Sequence, residues 1–331
     1  MAHQLPFFPA SLPDETLVSR ISRFHLLCGN ATDQLTFRDL FDRDISAVDL
    51  IVPANLDVLA DRLPGTPTGN TKNLIRTNTL FPLFRPFLGR VDRRADLRPD
   101  LDLGRTLRQI VDAINDAKLC LKCLHEDKAS GPCAYWHRAH QIPGLTACWR
   151  HGTKLISCCP NCSYPFQVKN RLLTVPWLPC RRCGMDLTSW TASSSATEKE
   201  LCFARYAYEL LHANIPTIDP YCLVTVYERA ILDRISIRKS FPTMKELESK
   251  LIVAIGRDFV RSVDTGHSTK CARFWRRLDR SHPAHIPIMS YVLYGMHLFT
   301  TVERFQAAVD AVIAKVSNAR ISRFRDELLP S

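Results

Sequence analysis

The chain has 331 residues, 46% of them hydrophobic and 23% charged, values near the globular average that exclude general disorder and collagen-like or low-complexity architectures. That length suits two or three modules of about 100 to 150 residues, and apolar runs such as Leu251 to Ile255 are far shorter than the roughly 18 residues of a membrane-spanning helix. Forty-four Lys and Arg face 33 Asp and Glu, a net charge of +11, unevenly spread: residues 1–50 hold 4 basic and 7 acidic side chains, residues 251–300 hold 7 and 3.

The two ends are therefore expected to meet different partners, the basic one a nucleic acid or nucleoprotein. A surplus that merely keeps the protein soluble is the plainer alternative. The opening MAHQLPFFPASLPDE lacks a basic stretch and is broken by Pro6, Pro9 and Pro13, so it does not read as a secretory signal and a cytoplasmic location is expected. In that compartment the thirteen cysteines are expected to be thiols and metal ligands, not disulfides.

A first helix is expected from Ser11, with Ser11 as N-cap, Pro13, Asp14 and Glu15 in the first turn, and Leu17, Ile21, Phe24 and Cys28 on one face up to Gly29. Short helical patterns follow at Thr36–Phe41 and Asn55–Leu63, then a Pro64-Gly65 break and the segment from Thr68 to Phe81. Short helices joined by tight turns fit a helix-turn-helix type of bundle; periodicity alone does not separate it from an ordinary helical bundle. Between Phe81 and Asp102 a basic connector carries Arg85, Arg90, Arg93, Arg94 and Arg98, and Thr106 to Leu119 reads as a further helix leading to the cysteines.

Four ligand pairs crowd residues 120–183: Cys120-x2-Cys123, Cys148-x2-His151, Cys159-x2-Cys162 and Cys180-x2-Cys183. Two-residue spacing lets a tight turn aim both ligands at one tetrahedral ion, so two zinc sites are expected. The last two pairs match a known zinc spacing, and Gly184 follows where a knuckle needs an unhindered backbone. Tyr164–Val168 and Leu172–Trp177, around Lys169-Asn170, are candidate strands of a zinc-ribbon hairpin. At the first site Cys133, His137 and His140 rival the paired ligands, and crossed pairing between sites stays open beside the preferred sequential pairing. Cys28, Cys133, Cys158, Cys202, Cys222 and Cys271 are most simply core residues, and His125 an ordinary surface or core histidine.

Four soft ligands close each site, which argues for structural zinc. Pro179-Cys-Arg-Arg-Cys183 mimics half of the nucleobase deaminase signature, but no His-x-Glu or Cys-x-Glu accompanies it. His-Glu-x-x-His and a P-loop are also missing from the sequence, so no enzymatic activity is expected.

A Ser/Thr-rich stretch from Thr188 to Thr197 separates the cysteines from a helical third module with helices at Leu201–Ala213, Leu223–Ile235 and Thr243–Ile255, the last opened by a Thr243 to Glu246 capping box. Beyond it Lys270, Arg273, Arg277 and Arg280 share one face of a helical pattern over Ser268–Arg280, opposite Cys271, Phe274, Trp275 and Leu278. That face is a candidate nucleic-acid or nucleoprotein contact; a solvated charged face is the bland alternative.

Leu12-Pro-Asp-Glu-Thr-Leu-Val-Ser-Arg-Ile, Thr79-Leu-Phe-Pro-Leu-Phe-Arg-Pro-Phe, Cys120-Leu-Lys-Cys-Leu-His-Glu-Asp, Cys148-Trp-Arg-His-Gly-Thr-Lys-Leu, Cys159-Pro-Asn-Cys and His282-Pro-Ala-His-Ile-Pro-Ile together resemble the TniQ/TnsD family of transposon target-selection proteins. The resemblance implies a non-enzymatic adaptor. Its partners would be an AAA+ ATPase transposition regulator and either a CRISPR-associated RNA-guided effector or an attachment DNA site, with room for a homodimer. It implies two structural Zn2+ ions on Cys120, Cys123, Cys148, His151, Cys159, Cys162, Cys180 and Cys183. The chain departs from the usual cluster in Cys158 and Lys122, and its length is nearer the short adaptor branch. A zinc-stabilised, sequence-specific DNA-binding transcription regulator is the alternative function, and a zinc-dependent nucleic-acid enzyme a further one. The expected fold is mainly α, with helix-turn-helix-like modules at 1–105 and 195–331 flanking a tandem, zinc ribbon-like region at 106–190.

Overall fold

The computed structural model describes residues 4–42, 48, 55–88, 116–168, 171–234, 244–263 and 288–328. The greater part of the expected helix at 106–119, the arginines from Arg90 to Arg98, Thr243, Cys271, the hairpin turn at Lys169-Asn170, the basic face of Lys270, Arg273, Arg277 and Arg280, and the segment from His282 to Pro287 lie outside these residues.

The fold is mainly helical. In chain order the helices are α1 Leu17–Cys28, α2 Asp33–Phe41, α3 Leu56–Arg62, α4 Pro67–Asn78, α5 Phe81–Phe84, α6 Leu121–Ser130, α7 Glu198–His212, α8 Pro220–Arg234, α9 Met244–Ile255, α10 Arg257–Val263, α11 Ile288–Phe299 and α12 Val302–Leu328. Among the described residues there are isolated β-bridges but no strand. None of these helices is long and apolar enough to cross a membrane. The chain divides into two compact units, one of residues 1–83 and 93–214, the other of residues 84–92 and 215–331.

In the first unit α1 starts five residues later than the Ser11 cap predicts, after Thr16, whose hydroxyl accepts the Ser19 N–H at 3.1 Å. The delay has a cause: Asp14 and Glu15 serve tertiary bonds instead of the first turn. Asp14 adopts φ +56° and receives the Arg138 guanidinium at 3.0 Å and the Ala139 N–H at 2.9 Å. Glu15 receives the Leu12 N–H, the Ser19 hydroxyl and the Arg23 guanidinium. The helix ends at Gly29, φ +67°, as expected.

Leu17, Ile21 and Phe24 of α1 are buried, whereas Cys28 is exposed. Two arginines on α1 are buried as well. Arg20 donates to the Pro9 carbonyl and Asn78, and Arg23 to Ala10 and Glu15, which straps the Pro-rich leader onto the helix. Burial lowers the Arg20 pKa to about 10. The α3–α4 turn is closed by the Asn70 amide, which donates to the carbonyls of Ala60, Leu63 and Pro64 at 3.0–3.2 Å while Gly65 takes φ +106°.

The expected Phe81–Asp102 connector begins as helix, α5 followed by a 3-10 turn at Arg85–Phe87, with Leu83 and Phe84 fully buried. Residues 116–119, read as the end of a helix, are not helical, and Leu119 instead forms a β-bridge with Ile156, the two exchanging N–H···O bonds at 2.9 and 3.0 Å.

The core joins α1 to the cysteine-rich region. Val18, Leu119, Leu121, Leu124, Trp136, Leu173 and Leu187 pack in one cluster. The loop at 134–141 is stitched to the start of α1: Thr16 N–H donates to the Trp136 carbonyl at 3.0 Å and Trp136 N–H to the Ser19 hydroxyl at 3.2 Å. Helix α7 belongs to this unit too. Its Thr197 and Glu200 form a reciprocal capping box, and Glu200 also takes the Thr146 hydroxyl and the Lys154 ammonium.

In the second unit the 3-10 turn at Arg85–Phe87 lies against α11 and α12, with the Phe87 ring stacked on Tyr291 at 5.3 Å and on Phe305 at 6.1 Å. Tyr227 of α8 donates to the Tyr291 carbonyl at 2.7 Å inside the same aromatic core. Gly256, φ +100°, separates α9 from α10.

Candidate metal centres

Three of the four ligand pairs are held by one recurring backbone turn. Cys148, Cys159 and Cys180 each accept at their carbonyl the N–H of the residue four positions on, Gly152, Ser163 and Gly184, at 2.8–2.9 Å. Each donates its own N–H to the carbonyl of the residue five positions on, Thr153, Tyr164 and Met185, at 2.8 Å. The fourth position of the turn is left-handed, with φ +62° at Gly152, +56° at Ser163 and +71° at Gly184. Glycine meets this demand without strain at two of the three sites. The remaining pair is helical: Cys120 is the N-cap residue of α6 and Cys123 lies in its first turn, with Leu124 N–H donating to the Cys120 carbonyl at 3.0 Å.

These turns gather Cys120, Cys123, Cys148 and His151 in one cluster and Cys159, Cys162, Cys180 and Cys183 in another, each with its donor atoms within 4.8 Å of one another. The pairs meet sequentially and not crosswise. In the first cluster the Cys123 and Cys148 sulfurs are 3.7 Å apart, and His151 Nδ1 stands 3.5, 3.3 and 3.6 Å from the sulfurs of Cys120, Cys123 and Cys148. In the second, Cys159 and Cys183 are 3.7 Å apart, as are Cys162 and Cys180. A tetrahedral zinc ion with Zn–S of about 2.3 Å and Zn–N of about 2.0 Å requires S···S edges of about 3.8 Å and S···N edges of about 3.5 Å. Both clusters therefore fit a tetrahedral ion.

The rivals take other places. His137 Nε2 pairs with Asp127 at 2.7 Å, and Cys133 is half-buried beside Arg23. Fully buried His140 approaches one sulfur only, Cys123 at 3.8 Å, and burial pushes its pKa down to about 3. Cys158, next to Cys159, is outside the cluster. Tyr164–Val168 and Leu172–Trp177 do not pair as strands; Cys158 and Pro165 form a single bridge, and Pro165 and Pro176 remove donors a hairpin ladder needs.

Sequence reasoning missed the groups that surround the first cluster. Glu126, one turn after Cys123 on α6, receives the His151 Nε2–H at 2.9 Å, which turns Nδ1 towards the sulfurs. This is the carboxylate–histidine pair that commonly supports a metal-bound imidazole. The Thr153 hydroxyl lies 3.3 Å from Cys120 Sγ. The Cys123-x-x-Glu126 spacing was a visible signal for a carboxylate on that helical face, but not for its partner.

Without an ion the thiols share protons unequally. Hydrogen bonds from Cys123 and Cys148 pull Cys120 far below the ordinary thiol range, bonds with Cys120 and Cys148 push Cys123 up, and the bond with Cys120 pushes Cys148 up to about 11. In the second cluster the Asn161 side chain lowers Cys183 to about 6, and desolvation pushes Cys162 up to about 12. A bound dication reverses such resistance by deprotonating coordinating thiols.

The sequence model of the TniQ family matches residues 6–155, a span that contains α1 to α6 and the whole first cluster and stops short of the second. A stretch of 154 residues, 44% of this chain, is 27% identical to the Transposon Tn7 transposition protein TnsD of Escherichia coli and covers 30% of that relative's length.

Proposed function

We propose that this chain, a member of the TniQ family through residues 6–155, is a non-enzymatic adaptor for transposition target selection. In this reading it links an AAA+ ATPase transposition regulator to a targeting element, either a CRISPR-associated RNA-guided effector or an attachment DNA site. The match over residues 6–155 carries the reading, because it spans both the helical segment and the first metal cluster that the core packs together. Two Zn2+ ions would be held by Cys120, Cys123, Cys148 and His151, and by Cys159, Cys162, Cys180 and Cys183. Thiolate-rich tetrahedral donor sets favour zinc over oxygen-seeking cations. Four protein ligands at each ion leave no position for substrate, so the ions would act as cross-links. The working surfaces are assigned to the modules at 1–105 and 195–331, with the cytoplasm as their setting.

The face of Lys270, Arg273, Arg277 and Arg280 is the assigned contact with nucleic acid or nucleoprotein, on the strength of its helical spacing. If these four side chains meet phosphates, replacing them with Ala reduces the slope of log affinity against log salt by about three to four, since each phosphate contributes roughly 0.9. Titrations of DNA and of an RNA-guided effector complex at several salt concentrations check this. An unchanged slope for both would remove the contact, and failure of the chain to associate with an AAA+ regulator would favour a free-standing DNA-binding regulator.

A further inference from the structure

We propose that His140 is a positioning residue of the first metal centre, donating its Nε2–H to the Cys123 thiolate and thereby slowing loss of the metal. The inference rests on the reading that this cluster holds zinc. Three thiolates and one neutral imidazole around a dication leave one surplus negative charge, and the Cys120, Cys123 and Cys148 side chains are buried. Buried charge needs hydrogen-bond donors.

Two thiolates have evident ones: the Thr153 hydroxyl lies 3.3 Å from Cys120 Sγ, and the His151 N–H is 3.5 Å from Cys148 Sγ. Cys123 has His140 Nε2 at 3.8 Å. Each sulfur then has at least one donor, Cys120 also taking the Cys123 backbone N–H.

The other ring nitrogen fixes the proton. His140 Nδ1 is buried without a hydrogen-bond partner among the described residues. Were the proton on Nδ1, a buried donor would be left unsatisfied and the bare Nε2 lone pair would face sulfur. With the proton on Nε2, the N–H faces the thiolate and only an acceptor goes unused. The ring is held in place by the 3-10 turn at Ala139–Gln141, where the Gln141 amide bonds both the N–H and the carbonyl of Lys118.

The test uses the zinc-loaded full chain, its metal content measured first, with His140→Phe, which keeps a ring but no donor, and His140→Gln, which returns an N–H. Zinc transfer to a chromogenic chelator and iodoacetamide labelling of Cys123, mapped by mass spectrometry, are followed with Cys162 and Cys183 as internal references. Loss of a supporting partner commonly costs ten- to a hundredfold in metal affinity; we expect loss of the first ion and Cys123 labelling to be faster by that order in the Phe variant. Most of the protection should return in the Gln variant, with the references unchanged. Equal protection in all three proteins, or equal loss in both variants, overturns the assignment. If the Phe variant does not fold, the nitrogen-15 shifts of His140 in the wild type decide: a proton on Nε2 supports the proposal and a proton on Nδ1 overturns it. A wild-type chain with no zinc at the first cluster would instead remove the metal reading itself.

Discussion

Cys120, Cys123 and Cys148 are at most 5% exposed, whereas in the second cluster Cys159 alone is buried, Cys162 and Cys180 are half-buried and Cys183 is open to solvent. Yet three of the four ligand pairs use the same turn. The difference lies in what stands behind the turn. Behind the first cluster are a helix, a carboxylate on the histidine and side-chain donors on the sulfurs; it lies in the matched span, joined through residues 134–141 to α1. The second is two facing knuckles closed mainly by backbone bonds. The same turn thus serves both a centre built into the core and a centre mounted on it.

The sharpest way to break this contrast is to remove one thiol from each. Structural zinc contributes on the order of 10 kcal/mol or more, comparable with the whole stability of a domain. Cys148→Ser is expected to leave the first unit unfolded, and Cys183→Ser to give a folded chain with a lower melting temperature, as read by circular dichroism. Equal behaviour of the two variants would erase the distinction.

A smaller effect isolates the groups behind the first cluster. Glu126→Gln is expected to weaken zinc binding there by ten- to a hundredfold while the second centre keeps its affinity, as competition with a calibrated chelator would show. A parallel drop at both centres would mean that Glu126 acts through general folding.

The smallest effect concerns α7, which packs against the first knuckle. Burial raises the Glu200 pKa, but Lys154 and the Thr197 and Thr146 donors outweigh it and hold the carboxyl at about 2, below its ordinary 4.5. A depressed carboxylate stabilises the fold above about pH 4.5, and that contribution is lost as pH falls towards 2. Glu200→Gln keeps a side chain that closes the capping box but removes the charge facing Lys154 and the helix N-terminus, so a loss of about 0.5 kcal/mol is expected at neutral pH, shrinking on acidification. Urea melts at pH 7 and pH 3 measure both.

Much of this was legible in the sequence because its signals were local. Gly29 and the Cys-x-x-Cys and Cys-x-x-His pairs act over three or four residues. What escaped depends on distant partners. Asp14 and Glu15 look like first-turn helix residues until Arg138 and Arg23 claim them. Arg20 and Arg23 look like surface cations, but the carbonyls of Pro9 and Ala10 draw them inward. Glu126 meets His151 only after 25 residues of chain return to α6.

The central claim, two structural metal centres of unequal depth, is tested most directly by metal analysis of the purified chain joined to timed alkylation of its cysteines, resolved by peptide mapping. Two zinc ions per chain are predicted, with Cys162, Cys180 and Cys183 modified well before Cys120, Cys123 and Cys148. Fewer than one zinc per folded chain, or modification of all six thiols at one rate, would contradict it.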